Sequence, residues 1–169
     1  MQIVFSNTNS LLSYAVRGTT LSRWSQVDML FDDGTLIGAS PLRSGQYAAG
    51  VQKMTLKERL ENDQVVCYKI DEVKLCEPDA TRRFLERQIG KPHDTWGLFG
   101  MAFHARNWQD DSCWFGAELV AAAAQAGCSP LIRGIVTYVS PNMVENSHLL
   151  TSVVPITHVN KAAKCPDFY

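Results

Sequence analysis

An α+β fold is what this 169-residue sequence predicts, and three patterns predict it. Residues 26–39 alternate polar and apolar on either side of an Asp-Gly turn, the signature of a β-hairpin. Between Trp114 and Ala126, Phe115, Leu119, Val120, Ala123 and Ala126 recur at helical spacing and make one apolar face. Taken along the chain, the order strand, hairpin, strand, helices, strand fits α+β better than an alternating parallel α/β sheet.

Each element has its own local cause. Gln2 to Phe5 reads as a short strand, and Ser10 to Arg17 as one or two helical turns with Gly18 as the stop. Gln26 to Phe31 and Thr35 to Ala39 form the hairpin strands around Asp32-Asp33-Gly34. Gly45 to Gly50 reads as a loop. Gln64 to Ile70, rich in β-branched residues, is a strand. Pro78-Asp79 opens a helix to about Ile89, Gly90 stands where a left-handed cap belongs, and Pro92 follows as a breaker. Thr95 to Ala105 reads as a short apolar helix. The long helix of Trp114 to Ala126 gains propensity from four consecutive alanines and ends at Gly127. Ser140-Pro141 is a helix start, a cap residue before a proline at the first position, and Val153 to Thr157 is the last strand. With no repeat, linker or low-complexity tract, residues 1–169 read as a single domain.

Composition excludes several function classes. A net charge of -1 with scattered basic residues argues against a nucleic-acid surface, since phosphate binding needs clustered Lys and Arg. The longest apolar run, Leu119 to Ala124, is too short to span a bilayer. Met1 to Phe5 lacks the basic flank and length of a signal peptide, so synthesis in the cytoplasm is expected. Cys67, Cys76, Cys113, Cys128 and Cys165 show no C-x-x-C spacing and read as reduced structural thiols. His93, His104, His148 and His158 are dispersed, so neither a metal site nor any other cofactor is expected.

Three ordered segments carry more specific information: Trp24 to Ala39; Gly90-Lys91-Pro92-His93-Asp94-Thr95-Trp96-Gly97-Leu98-Phe99-Gly100; and Trp114-Phe115-Gly116-Ala117-Glu118-Leu119-Val120, followed later by Val139-Ser140-Pro141-Asn142. Together they resemble the circularly permuted branch of the NlpC-type papain-like amidases, common in phage and prophage genomes, over roughly residues 20 to 150. The resemblance implies a papain-like fold with a small antiparallel sheet packed against helices. It also implies thiol chemistry, in which a cysteine at a helix N-terminus is activated by the helix dipole and an imidazole. The histidine acts as base and then acid, and a polar third residue orients it.

This chain departs from that pattern at each role. Gly116 stands at the nucleophile position and offers no side chain. Gln26 stands at the base position, and an amide takes no proton near neutral pH. The family's orienting residue lies near the end of the second hairpin strand, where Leu36-Ile37-Gly38-Ala39 has no polar group. Two rescues are conceivable: Cys113 as a displaced nucleophile, and His93, where relatives carry tyrosine, as its base. Cys113 lies three residues too early, which is a large error against the roughly 1 Å that reactive geometry tolerates. Glu118 reads as a tether to backbone or a basic side chain, and Asp94 as a cap or turn residue.

The resulting expectation is a catalytically inactive member of the family, serving as a structural or binding component of a phage tail tip or baseplate. It would be made in the host cytoplasm, assembled into a virion tail, and packed against neighbouring tail proteins. A second expectation is residual binding of cell-wall peptide or glycan in a groove lined by Trp24, Trp96, Trp108 and Trp114. A third is an active cysteine amidase using Cys113. With the catalytic pair gone, a filled cleft is expected.

Overall fold

The hairpin anticipated at 26–39 lies in the middle of a six-stranded antiparallel sheet. The computed structural model describes residues 1–41, 48–62, 64–94, 112–133 and 139–159. The strands are β1 (Gln2–Thr8), β2 (Gln26–Leu30), β3 (Thr35–Ser40), β4 (Gly50–Thr55), β5 (Val65–Val73) and β6 (Leu150–His158). They lie in the order β4-β3-β2-β1-β5-β6, and every neighbouring pair is antiparallel. The described helices are α1 (Leu11–Thr20), α2 (Leu56–Asn62), α3 (Pro78–Gln88), α4 (Gly116–Ala126) and α5 (Pro141–Glu145). The α+β expectation therefore holds.

The hairpin turn closes as its residues dictate. Gly34, at φ 81, donates to Phe31 O, and Asp33 Oδ1 accepts the Thr35 N–H at 2.9 Å. Register then places Asp28 opposite Gly38 and Met29 opposite Ile37. Successive side chains alternate across the sheet, and both faces are covered. One face (Ile3, Phe5, Val27, Met29, Ile37, Ala39) joins Leu85 of α3 and Leu119, Val120 and Ala123 of α4 in the larger core. The other (Val4, Leu30, Leu36, Met54, Ile70) forms a second core, on which Leu56 of α2 packs. All five residues of β2 are buried, so its polar–apolar alternation does not mark a solvent face.

Several expectations need correction. Gly18 does not stop α1; the helix runs through it to Thr20, and Leu21 takes the left-handed cap at φ 49. The Thr19 and Thr20 hydroxyls bond back to Val16 O, tying down the last turn. Gly127 does end α4, but in ordinary backbone at φ -87, and Cys128 carries the positive φ of 56. A glycine is needed at 127 for contact: a Cβ there would fall on Thr81 Oγ1 of α3. Cys67, wholly buried on β5, is disulfide-bonded, which corrects the expectation of reduced thiols throughout. Spacing alone does not reveal which sulfurs a fold brings together. Cys76, Cys113 and Cys128 are in no disulfide. Gly50 belongs to β4 and not to a loop; β4 and α2 have no counterpart in the sequence reading. Thr95 to Ala105, and the loop over residues 45–47, lie outside the described residues.

Candidate functional site

Gly116 opens α4 with its backbone pressed onto the hairpin. A Cβ built there would meet Val27 O at 2.9 Å and Ala39 O at 3.5 Å. Both are main-chain atoms of a buried sheet and cannot swing aside as a side-chain tip can. The helix N-terminus is therefore seated closer to β2 and β3 than any residue with a side chain allows.

Gln26, on β2, is bound into the same backbone. Its Nε2 donates to Ala39 O at 2.6 Å and reaches Asp28 Oδ1 at 3.3 Å. Ala39 O is thus shared between the edge of the Gly116 position and the Gln26 amide. The two positions that resemble nucleophile and base are neighbours, and hydrogen bonding and close packing fill the space between them.

Gly38 has a different environment. A Cβ there would fall on Asp28 Oδ1, its cross-strand partner. That same oxygen accepts Arg59 Nη2 from α2 at 2.7 Å, and both side chains have 0% exposure. Asp28 and Arg59 are the residues that sequence reasoning missed. Asp28 was visible only as the polar member of an alternation. The signal for Arg59 lay in Thr55-Leu56-Lys57-Glu58, a capping box that starts α2. Thr55 Oγ1 accepts the Glu58 N–H at 3.2 Å, and Glu58 Oε2 accepts the Thr55 N–H at 2.7 Å.

His93 and Gln26 line one small cavity with Phe115 and the hydroxyl-bearing residues Thr8, Ser10, Ser13, Ser25 and Ser40. Its volume is about 20 Å³, room for about one water. The segment carrying His93 is fixed by backbone: Trp114 N donates to Pro92 O and Asp94 N to Trp114 O, each at 3.0 Å. The imidazole packs edge-on against Phe115, and its Nδ1 has no hydrogen-bond partner among the described residues. Burial pushes its pKa down to about 4, so the ring is neutral at physiological pH. Cys113 is half-buried, is in no disulfide and is not among the residues lining this cavity.

The two described tryptophans, Trp24 and Trp114, do not line a common groove. Trp24 is wholly buried against Phe5, which corrects its expected place in a binding cleft. Trp114 packs edge-on against Phe84 and donates Nε1 to Gln88 Oε1 at 3.0 Å, facing α3. Trp96 and Trp108 lie outside the described residues. Glu118 sits in the first turn of α4, and it and Asp94 are both buried. Among the described residues, no three His, Cys, Asp or Glu side chains converge into a set that could hold a metal ion, and no helix is long and apolar enough to cross a membrane.

No family model matches this chain, and no curated protein matches it. Among solved structures, it is similar to the metalloprotein yiiX from Escherichia coli O157:H7, described as DUF1105. The TM-score is 0.63 at 16% sequence identity, covering 90% of this chain and 94% of that one. At that identity the likeness is one of fold.

Proposed function

We propose that this chain is a catalytically inactive domain of the papain-like NlpC type, kept as a structural or binding component. The observation that carries the reading is the 2.9 Å approach of a Gly116 Cβ to Val27 O. Loss of a cysteine by point substitution would leave room for its return. Here the backbone has closed over the position, and Gln26 is hydrogen-bonded into the same strand pair. The cavity lined by Gln26, His93 and Phe115 holds about 20 Å³, far less than a peptide or glycan chain occupies.

The proposed assembly is a phage tail tip or baseplate. Its support is the resemblance of the three motif segments, together with an apolar surface suited to a neighbouring protein. Leu11, Tyr14 and Leu21 fall on one outward face of α1 and its cap, with exposures of 89%, 52% and 77%. Two experiments test the reading. Purified peptidoglycan incubated at high protein concentration is expected to release no fragments by mass spectrometry. Release that vanishes in Cys113→Ala would overturn the inactive assignment in favour of a rewired cysteine amidase. Mass spectrometry of purified virions is expected to find the protein, and its absence from the particle would sink the tail assignment.

A further inference from the structure

Cys76 and Cys128 lie outside the site described above, far apart in sequence, and both are exposed free thiols. Cys76 stands two residues before α3, and Cys128 two residues after α4. The backbone brings these two ends together. Glu77 N donates to Gly127 O at 3.1 Å, and Cys76 N donates to Ser129 Oγ at 2.7 Å. Cys128 Sγ itself points back across the junction, 3.9 Å from Glu77 Oε1. Through these bonds, covalent geometry keeps the Cα atoms of Cys76 and Cys128 within about 8 Å of each other. A disulfide takes Cα atoms roughly 4.4–6.8 Å apart. Both cysteines sit in connecting segments, where a small shift is absorbed more readily than inside a helix.

The geometry points to Cys76 and Cys128 as a reversible dithiol–disulfide pair that clamps the start of α3 to the end of α4. The oxidant is a small-molecule disulfide such as glutathione disulfide. One protein thiolate attacks it, forming a mixed disulfide and releasing one glutathione thiolate. The second protein thiolate then attacks the protein sulfur of that mixed disulfide, closing the Cys76–Cys128 bond and releasing the second glutathione. Two protein thiols lose two protons and two electrons, and the glutathione disulfide takes them up as two thiols. The clamp tethers α4, whose opposite end is Gly116, to α3 through a covalent bond in addition to the packing at Gly127.

The test is incubation of the folded protein with glutathione disulfide, alkylation of remaining thiols, digestion without reductant and mass spectrometry. The expected product is one crosslinked peptide pair joining Cys76 to Cys128, lost again on adding dithiothreitol. In Cys128→Ser, Cys76 is expected to stop at the glutathione adduct, and in Cys76→Ser the same holds for Cys128. Separate glutathione adducts on both cysteines of the unaltered protein, or a crosslink from either one to Cys113, would overturn the pairing.

Discussion

Gly38 and Asp28 share one space: they face each other across β2 and β3, and a Cβ on Gly38 would fall on Asp28 Oδ1. The glycine is what admits the carboxylate, and the carboxylate is what meets Arg59 in a fully buried pair. Gly38→Ala should therefore cost about 2–4 kcal/mol, since it overpacks the sheet and disturbs that pair. Urea denaturation measures it. Exchanging the two residues, Asp28→Gly with Gly38→Asp, returns a carboxylate to nearly the same place. The exchange should recover a good part of the stability that Gly38→Asp alone loses.

The Asp28–Arg59 pair makes a second prediction. Removing one partner strands a buried charge, so Arg59→Met or Asp28→Asn should each cost about 3–5 kcal/mol. The double variant removes both charges of the pair and should cost clearly less than the sum. Additive losses in a denaturation cycle would show that the two charges are held independently by other neighbours.

Much of this architecture was legible because its signals are local. The Asp-Gly turn at 33–34, the Ser140 cap, whose Oγ accepts the Met143 N–H, and the proline at the start of α3 each act within a few residues. Gly90 likewise takes the positive φ its position suggested. What escaped was decided by distance. An arginine in Leu56–Asn62 reads as a solvated charge until α2 is folded over the sheet and Arg59 finds Asp28 31 positions away. Gly127 reads as a helix stop, and only its contact with Thr81 shows that packing demands the glycine. At the candidate site, the sequence showed that Gly116 and Gln26 stand where the family it resembles carries a cysteine and a histidine. It did not show that Val27 and Ala39 have closed against Gly116, because that is a relation between backbones.

His93 sets a pH dependence. Its ring titrates near 6.5 when solvated and near about 4 in the folded chain, because burial disfavours the charged form. Between those values the unfolded chain binds more protons than the folded one, so acid favours unfolding. The contribution is complete above about pH 6.5 and is lost as pH falls toward 4, amounting to about 3 kcal/mol at most. Urea midpoints at pH 7 and pH 4.5 measure the loss. His93→Phe, which keeps an aromatic ring against Phe115, should flatten that part of the profile. An unchanged slope in His93→Phe would assign the acid sensitivity to other groups.

Placing a cysteine at 116 and a histidine at 26, as in the family the sequence resembles, should not create a thiol enzyme. Gly116→Cys brings a Cβ to 2.9 Å from Val27 O, so α4 must lift from the hairpin before the thiol fits. Gln26→His gives up the 2.6 Å bond to Ala39 O, the same carbonyl that lies 3.5 Å from the new Cβ. The double variant should release no peptidoglycan fragments and should unfold at lower urea than the parent. Gly116→Ala isolates the steric part and should cost about 1–3 kcal/mol. A neutral Gly116→Ala would mean that the helix start yields freely. A double variant that cleaves peptidoglycan would show that a catalytic geometry is reachable at this site.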